Sequence, residues 1–258
     1  MKQFGQRSKD VQAVLLDSGN LVLRDGTNSS AHVLWQSFDH PSDTWLPGAK
    51  IKFGSKLLTS WESLIDPSPG RYSLEVNLNA HSLITDWTGT KSYSLSGPWD
   101  DQLKMFKRIL ESSTNLSFNM DDSYITYSID LNSTYRLFMD VSGRFMLKVW
   151  RVHFKSWDVQ WSQPDNRCAV YNYCGSFGIC SETEELTPCS CVPGFERVFH
   201  QDSNDFSGVC MRETKLQCVH QENEEFLPLE NMKLAIDPIT TLVSTAILEN
   251  DMCLNLSS

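Results

Sequence analysis

A mainly β fold follows from three features of this 258-residue sequence. From residue 11 to about residue 165, short segments rich in Val, Ile, Thr, Tyr, Phe and Trp alternate with turn-forming clusters, a strand pattern rather than a helical one. Short strands with frequent turns predict sandwich or barrel-like β modules. All eight cysteines lie at residue 168 or later, which marks a separate module that depends on cross-links rather than on a large apolar core. With 40% hydrophobic residues, the chain can supply one large domain or two to three small ones.

The first element is LLDSGNLVLR (15–24), two apolar runs joined by Asp17, Ser18, Gly19 and Asn20. Glycine tolerates positive φ, and Asp and Asn side chains bond nearby backbone, so this reads as a hairpin. The Pro-containing runs DHPSDTWLPG (39–48) and DPSPG (66–70) read as connections between sheets. SYITYSID (123–130) reads as a strand, and YRLFMD with RFMLKVW as a hairpin turning at Val141-Ser142-Gly143. Alternation in the latter sends Phe145, Leu147 and Val149 to a core and Arg144 and Lys148 to water.

Residues 168–210 have little apolar periodicity. Cys189 and Cys191 are one residue apart, so in a strand they face opposite ways and seek different partners. The connectivity of the six cysteines in this region stays open on sequence grounds. Further on, TTLVSTAILENDMC places Leu242/Ala246 and Val243/Ile247 at i,i+4 with Thr241 as a cap, which predicts a short helix.

Charge and motifs narrow the function. A net charge of −10 with no basic run argues against nucleic acid and against an anionic membrane surface. No apolar stretch reaches the ~18 residues of a membrane span. Zinc would need paired C-x2-C or H-x3-5-H spacing; His200 and His220 have none, so disulfides are the better reading of the cysteines. Calcium would need an acidic cluster before Cys168, where only Asp165 and Asn166 stand. The run QENEEF (221–226) reads as a solvated face. No G-x-S-x-G, H-E-x-x-H or phosphate loop occurs, so no catalytic residue, metal or cofactor is expected.

Sequons at Asn28, Asn115, Asn132 and Asn255, taken with the cysteines, fit passage through the secretory pathway. The opening MKQFGQRSKDVQAV lacks the apolar core of a signal peptide, so the chain reads as a piece of a secreted or cell-surface protein.

Four motifs occur in order: VLWQSFDHPSDTWLPGAKI (33–51), LTSWESLIDPSPGRYSLE (58–75), SGPWD (96–100) and YCGSFGIC (173–180). Together they resemble the ectodomain of plant S-locus glycoproteins and G-type (bulb-type) lectin receptor-like kinases. The resemblance implies the C-terminal part of a bulb-type lectin β-prism unit at 1–57 and an S-locus glycoprotein domain at 58–167. It further implies an EGF-like module at 168–212 and a partial PAN/apple module at 213–258, with the chain truncated at both ends and the kinase domain absent. The implied disulfides are Cys168–Cys180, Cys174–Cys189 and Cys191–Cys210. Cys218 and Cys253 pair with each other or have lost downstream partners.

On this reading the chain is a non-catalytic extracellular recognition module. Its expected partners are a peptide or small-molecule ligand and a second receptor copy or related receptor. The family context is pollen recognition in self-incompatibility, or defence signalling. A mannose-binding lectin is the alternative, and a degenerate receptor relic without a stable fold is another.

Bulb-type lectins hold mannose through Q-x-D-x-N-x-V-x-Y, whose polar groups complement sugar hydroxyls. Here Asn20 and Val22 match, while Leu16, Ser18 and Arg24 occupy the other positions. The aromatics of WQSFDHPSDTWLPG offer a sugar-stacking or docking platform, but packing is the stronger expectation. In that account Trp35, Phe38 and Trp45 pack a loop between the lectin and S-locus parts, with Asp43 and Thr44 satisfying backbone groups.

Overall fold

A computed structural model describes residues 10–26, 32–54, 56–77, 82–87, 91–94, 96–97, 99–100, 105–106, 116–121, 123–129, 133–181, 188–198 and 209–214. The sequon asparagines Asn28, Asn115, Asn132 and Asn255, with Cys218, Cys253, His200, His220, the acidic run 221–226 and the expected helix near 241–247, lie outside the described residues. The chain divides after Arg167 into two compact units.

The first unit opens with an antiparallel sheet of β1 (Val11–Leu15), β2 (Leu21–Asp25) and β3 (His32–Gln36). Alternation is only partly used here. Val22 is buried, whereas Val11, Leu15, Leu21 and Trp35 project from the opposite face and stay exposed. A 3-10 turn at Ser37–Asp39 follows, and then two very short strands, β4 (Thr44–Trp45) and β5 (Ile51–Lys52). DHPSDTWLPG is therefore not only a connection, because Thr44 and Trp45 within it pair as a strand.

Next comes a four-stranded meander of β6 (Leu58–Trp61), β7 (Pro69–Asn77), β8 (Ser82–Trp87) and β9 (Lys91–Ser94). Pro69, expected in a linker, is instead the first residue of β7, a position where a missing N–H costs no interior ladder bond. A two-residue pair, β10 (Trp99–Asp100) with β11 (Met105–Phe106), precedes the hairpin β12 (Leu116–Met120) and β13 (Tyr124–Ile129). β14 (Tyr135–Met139), β15 (Phe145–Arg151) and β16 (Ser156–Gln163) complete the unit.

The early short strands are recruited by later sheets. β5 pairs with β13 through Ile51 and Ile125, and β4 pairs with β14 through Trp45 and Leu137. Hydrophobic burial drives this, since Trp45, Leu137, Met139, Phe145 and Ile125 are all essentially inaccessible to water. Trp45 sits among Phe118, 6.0 Å away between ring centroids, and Tyr127, 4.9 Å away at 74°. That edge-on geometry places positive ring edge against negative ring face. Its indole N–H donates to the Ala49 carbonyl at 3.0 Å, so the buried polar atom is satisfied.

The turn between β14 and β15 is built by Asp140. Its carboxylate accepts hydrogen bonds from the Ser142 N–H (3.0 Å), the Ser142 hydroxyl (2.7 Å) and the Arg144 N–H (2.9 Å). Gly143 completes it at φ +82°, where a side chain would be strained. Phe145, Leu147 and Val149 are buried as the alternation predicts. Lys148 is not turned fully to water: it is half-buried, with its ammonium 4.0 Å from the Phe138 ring centroid.

The second unit begins at Cys168, and among the described residues it is held by three disulfides. Cys168–Cys180, Cys174–Cys189 and Cys191–Cys210 span Cα separations of 5.4, 5.4 and 5.6 Å. β17 (Gly178–Cys180) pairs with β18 (Cys189–Cys191), and β19 (Phe195–Val198) with β20 (Val209–Arg212). Cys189 is buried and Ser190 exposed, so Cys189 and Cys191 share one face of β18 and are drawn apart by their different partners. Alternation across a single intervening residue gives the same face, which corrects the expectation that the two point opposite ways. Phe177 stacks on Phe195 at 4.3 Å, and the Arg197 guanidinium donates to the Cys189 carbonyl at 2.6 Å.

Candidate functional site

The first hairpin and the segment after β3 form one local assembly, centred on Asn20. The hairpin turn closes with the Leu16 N–H donating to the Asn20 carbonyl (2.9 Å) and the Gly19 N–H donating to the Leu16 carbonyl (2.8 Å). Asn20, buried at the turn exit, sends its side chain across to the 3-10 turn. The amide nitrogen donates to Gln36 Oε1 at 3.0 Å. The amide oxygen accepts from the Ser37 hydroxyl at 3.0 Å and the Phe38 N–H at 3.2 Å. Ser37 Oγ in turn accepts from the Leu21 N–H at 2.9 Å, and Gln36 donates to Asp39 at 3.0 Å. Asn20 thus works as a clamp between β2 and Ser37–Asp39.

Beside this clamp lies a recess of about 140 Å³, lined in part by Gly19, Phe38, His40, Pro41, Trp45 and Leu46. Ligand pockets for drug-sized molecules run ~300–1,000 Å³, so the recess admits a side chain or a small substituent rather than a whole ligand.

The residues singled out in the sequence are distributed as follows. Val22 is in the core, and Leu16 and Ser18 are exposed at the turn. Arg24 donates to Gln12 across the β1–β2 ladder at 3.4 Å. Of the three aromatics expected to pack the following segment, Trp45 is buried, Phe38 lines the recess, and Trp35 remains on the surface. Trp35 stacks flat on His40, 5.3 Å between centroids and 9° between planes. Asp43 and Thr44 meet side chains rather than backbone: the Thr44 and Ser42 hydroxyls both donate to Asp43 Oδ1, at 3.0 and 3.3 Å. The Asp165 carbonyl accepts from Arg144 at 3.3 Å, and its carboxylate accepts from the Asn166 N–H. Among the described residues no three His, Cys, Asp or Glu side chains group as metal ligands, and no helix is long and apolar enough to cross a membrane.

A second surface was not apparent from the sequence. On the outer face of the β14–β15–β16 sheet, Arg136 stands opposite Lys148 and Trp150 opposite Trp157. The Arg136 guanidinium lies 4.4 Å from the Trp157 centroid and 4.9 Å from Phe138. Burial pushes the Arg136 guanidinium below its ordinary pKa, against the opposing pull of Asp43. Lys148 is pushed down by burial and by the charge of Arg136, with Asp140 and Asp43 opposing and Arg144 adding. The sequence signal was the alternation R-x-F and K-x-W on neighbouring strands, which acquires meaning only once the register is known.

Comparison with known proteins defines the class. Residues 2–63 match the family described as D-mannose binding lectin, and residues 94–199 match the S-locus glycoprotein domain. The two matches, in this order, correspond to the ectodomain region of the G-type lectin S-receptor-like kinases and S-locus glycoproteins. A G-type lectin S-receptor-like serine/threonine-protein kinase of Arabidopsis thaliana is 66% identical over 245 residues, covering 93% of this chain and 29% of the kinase. A second such kinase from the same plant is 47% identical, over 87% of this chain and 29% of its own length. An S-locus-specific glycoprotein of Brassica oleracea is 33% identical, over 92% of this chain and 56% of its own length. The chain therefore spans under a third of these two receptor kinases, and the part it spans is their lectin and S-locus region.

Proposed function

We propose that this chain is a non-catalytic, extracellular ligand-perception module at the plant cell surface, of the type that serves pollen recognition or defence signalling. The observation that carries it is a lectin region followed by an S-locus region, aligned along 93% of the chain with a receptor kinase. Three disulfides fit an oxidising compartment. In this reading residues 1–57 are lectin, 58–167 S-locus, 168–212 EGF-like and 213–258 PAN-like, and signalling proceeds through association with a second receptor chain. β sheets supply a rigid frame for the connecting segments that contact ligand.

The test is ligand-dependent stabilisation. The chain, secreted from plant cells, is melted in the presence of size-fractionated apoplastic fluid. A saturable rise in the unfolding midpoint, abolished by treating the fraction with protease, supports peptide perception. No rise with any fraction overturns it.

The match to D-mannose binding lectin favours a second reading, mannose recognition at the Asn20–Val22 hairpin. The internal bonds of Asn20 weigh against it. Binding to mannose-rich glycans on an array, competed by free methyl mannoside, would establish it; a flat array removes it.

A further inference from the structure

We propose that the outer face of the β14–β15–β16 sheet binds an acidic peptide, with a carboxylate held between Arg136 and Lys148 and neighbouring apolar side chains against Trp150 and Trp157. The inference rests on the ligand-perception reading above and names its site and ligand class.

The two faces of this sheet differ. One carries Leu137, Met139, Phe145, Leu147, Val149 and Trp161 into the core. The other carries Arg136, Phe138, Lys148, Trp150 and Trp157, all half-buried, with Met146 buried opposite Phe138. Arg136 and Lys148 are direct cross-strand partners, and like charges in that relation destabilise a sheet. Contacts with Phe138 and Trp157 offset part of this cost, because ring faces attract cations. They do not neutralise the charges. Among the described residues no carboxylate lies within ion-pair distance of either cation; Asp43 acts on both, and Asp140 on Lys148, only from farther away. Nε of Arg136 is buried with no hydrogen-bond partner. That enclosed donor adds to the cost of holding the guanidinium here.

Shortage of acid does not explain the vacancy of partners, since the chain has 32 Asp and Glu. At the end of the same sheet Arg151 is paired with Asp158 at 2.9 Å. An incoming carboxylate would accept charge-assisted bonds from the outer N–H groups of the Arg136 guanidinium and from the Lys148 ammonium together, and relieve their mutual repulsion.

Two features favour a peptide. Trp150 and Trp157, 5.5 Å apart at 62°, form an aromatic surface beside the cations. Among the described residues β16 is also the outer strand of its sheet, in the order β16-β15-β14-β4. An extended peptide added along β16 would form main-chain bonds and send alternate side chains over this face.

The experiment measures fluorescence anisotropy of a fluorescein-labelled peptide of alternating glutamate and leucine, added to the full secreted chain. Its glutamine counterpart and a labelled galacturonate oligomer serve as comparisons. The glutamate peptide is expected to bind at least ~10-fold more tightly than the glutamine peptide, and R136Q and K148M each to weaken it by ~10-fold. K148M keeps the unbranched stem against Phe138 and so separates charge from packing; R151Q should bind as the unaltered chain does. Equal binding of the glutamine peptide, or indifference to K148M, overturns the anion site. Tighter binding of the galacturonate oligomer, with the same sensitivity to K148M, overturns the peptide assignment. If the probe peptide fails to bind while apoplastic fractions still stabilise K148M and the unaltered chain alike, this site is wrong and the perception reading stands. Failure of both assays overturns both.

Discussion

The Tyr127 hydroxyl donates a 2.7 Å hydrogen bond to the Trp45 carbonyl, joining residues 82 positions apart in the sequence. The same oxygen accepts from the Leu137 N–H at 3.2 Å. One phenol thus ties β13 to β4 and β14, the strands whose pairing closes the core of the first unit. Replacing it in Tyr127→Phe leaves the Leu137 N–H and the Trp45 carbonyl buried without that partner, a loss expected to cost about 1–3 kcal/mol. Urea unfolding of the variant measures it.

The same residue gives a pH dependence. Burial pushes the Tyr127 phenol well above its ordinary value, outweighing the lowering effect of the Leu137 bond, with Tyr135 adding slightly to the rise. The folded chain therefore holds this proton more tightly than the unfolded chain. The associated stability is fully present below the ordinary phenol pKa of about 10 and is lost as pH rises beyond it. The unfolding midpoint should fall across that alkaline range, and less steeply in Tyr127→Phe.

Gly143 and Gly48 separate conformational strain from steric clash. Both have φ near +80° (+82° and +81°). A Cβ on Gly143 would meet the Tyr72 ring at 2.4–2.7 Å, while one on Gly48 meets nothing within 4 Å. Gly48→Ala should cost about 1 kcal/mol from backbone strain alone, and Gly143→Ala clearly more, ~2–4 kcal/mol. Equal thermal shifts for the two variants would show that Tyr72 moves aside freely.

Asn20→Ala removes three side-chain hydrogen bonds that couple the first hairpin to Gln36, Ser37 and Phe38. A loss of about 1–3 kcal/mol is expected, with faster proteolysis near Ser37. The loss should appear with no sugar present, which distinguishes a clamp from a binding group.

The second unit should depend on its bridges and the first should not. Loops spanning 12, 15 and 19 residues correspond to roughly 3 kcal/mol of stabilisation for each disulfide. Mild reduction is expected to expose the six bridged cysteines to alkylation and remove protection from hydrogen exchange after residue 168. Protection of Tyr127 and Leu137 amides should persist, and parallel loss in both regions would contradict this division.

Features that depend on neighbours in the sequence were legible from the residues. The Asp17–Asn20 and Asp140–Gly143 turns were marked by their turn-forming residues, and alternation placed Phe145, Leu147 and Val149 inward. Spacing set the cysteine-rich region apart, and the ordered motifs carried the family resemblance. Alternation along β18 gives Cys189 and Cys191, with only Ser190 between them, a shared face.

What only the tertiary structure decided involves partners distant along the chain. Thr44 and Trp45 look like part of a linker until β14 pairs with them. Asn20 looks like half of a sugar motif until Gln36, Ser37 and Phe38 occupy its amide. Arg136 and Lys148 are unremarkable surface cations until strand register sets them side by side among aromatic rings. Turn preference and side-chain alternation act over a few residues and leave a readable pattern. Strand recruitment and hydrogen-bond completion are settled by which distant apolar faces exclude water together, and that selection leaves no local trace.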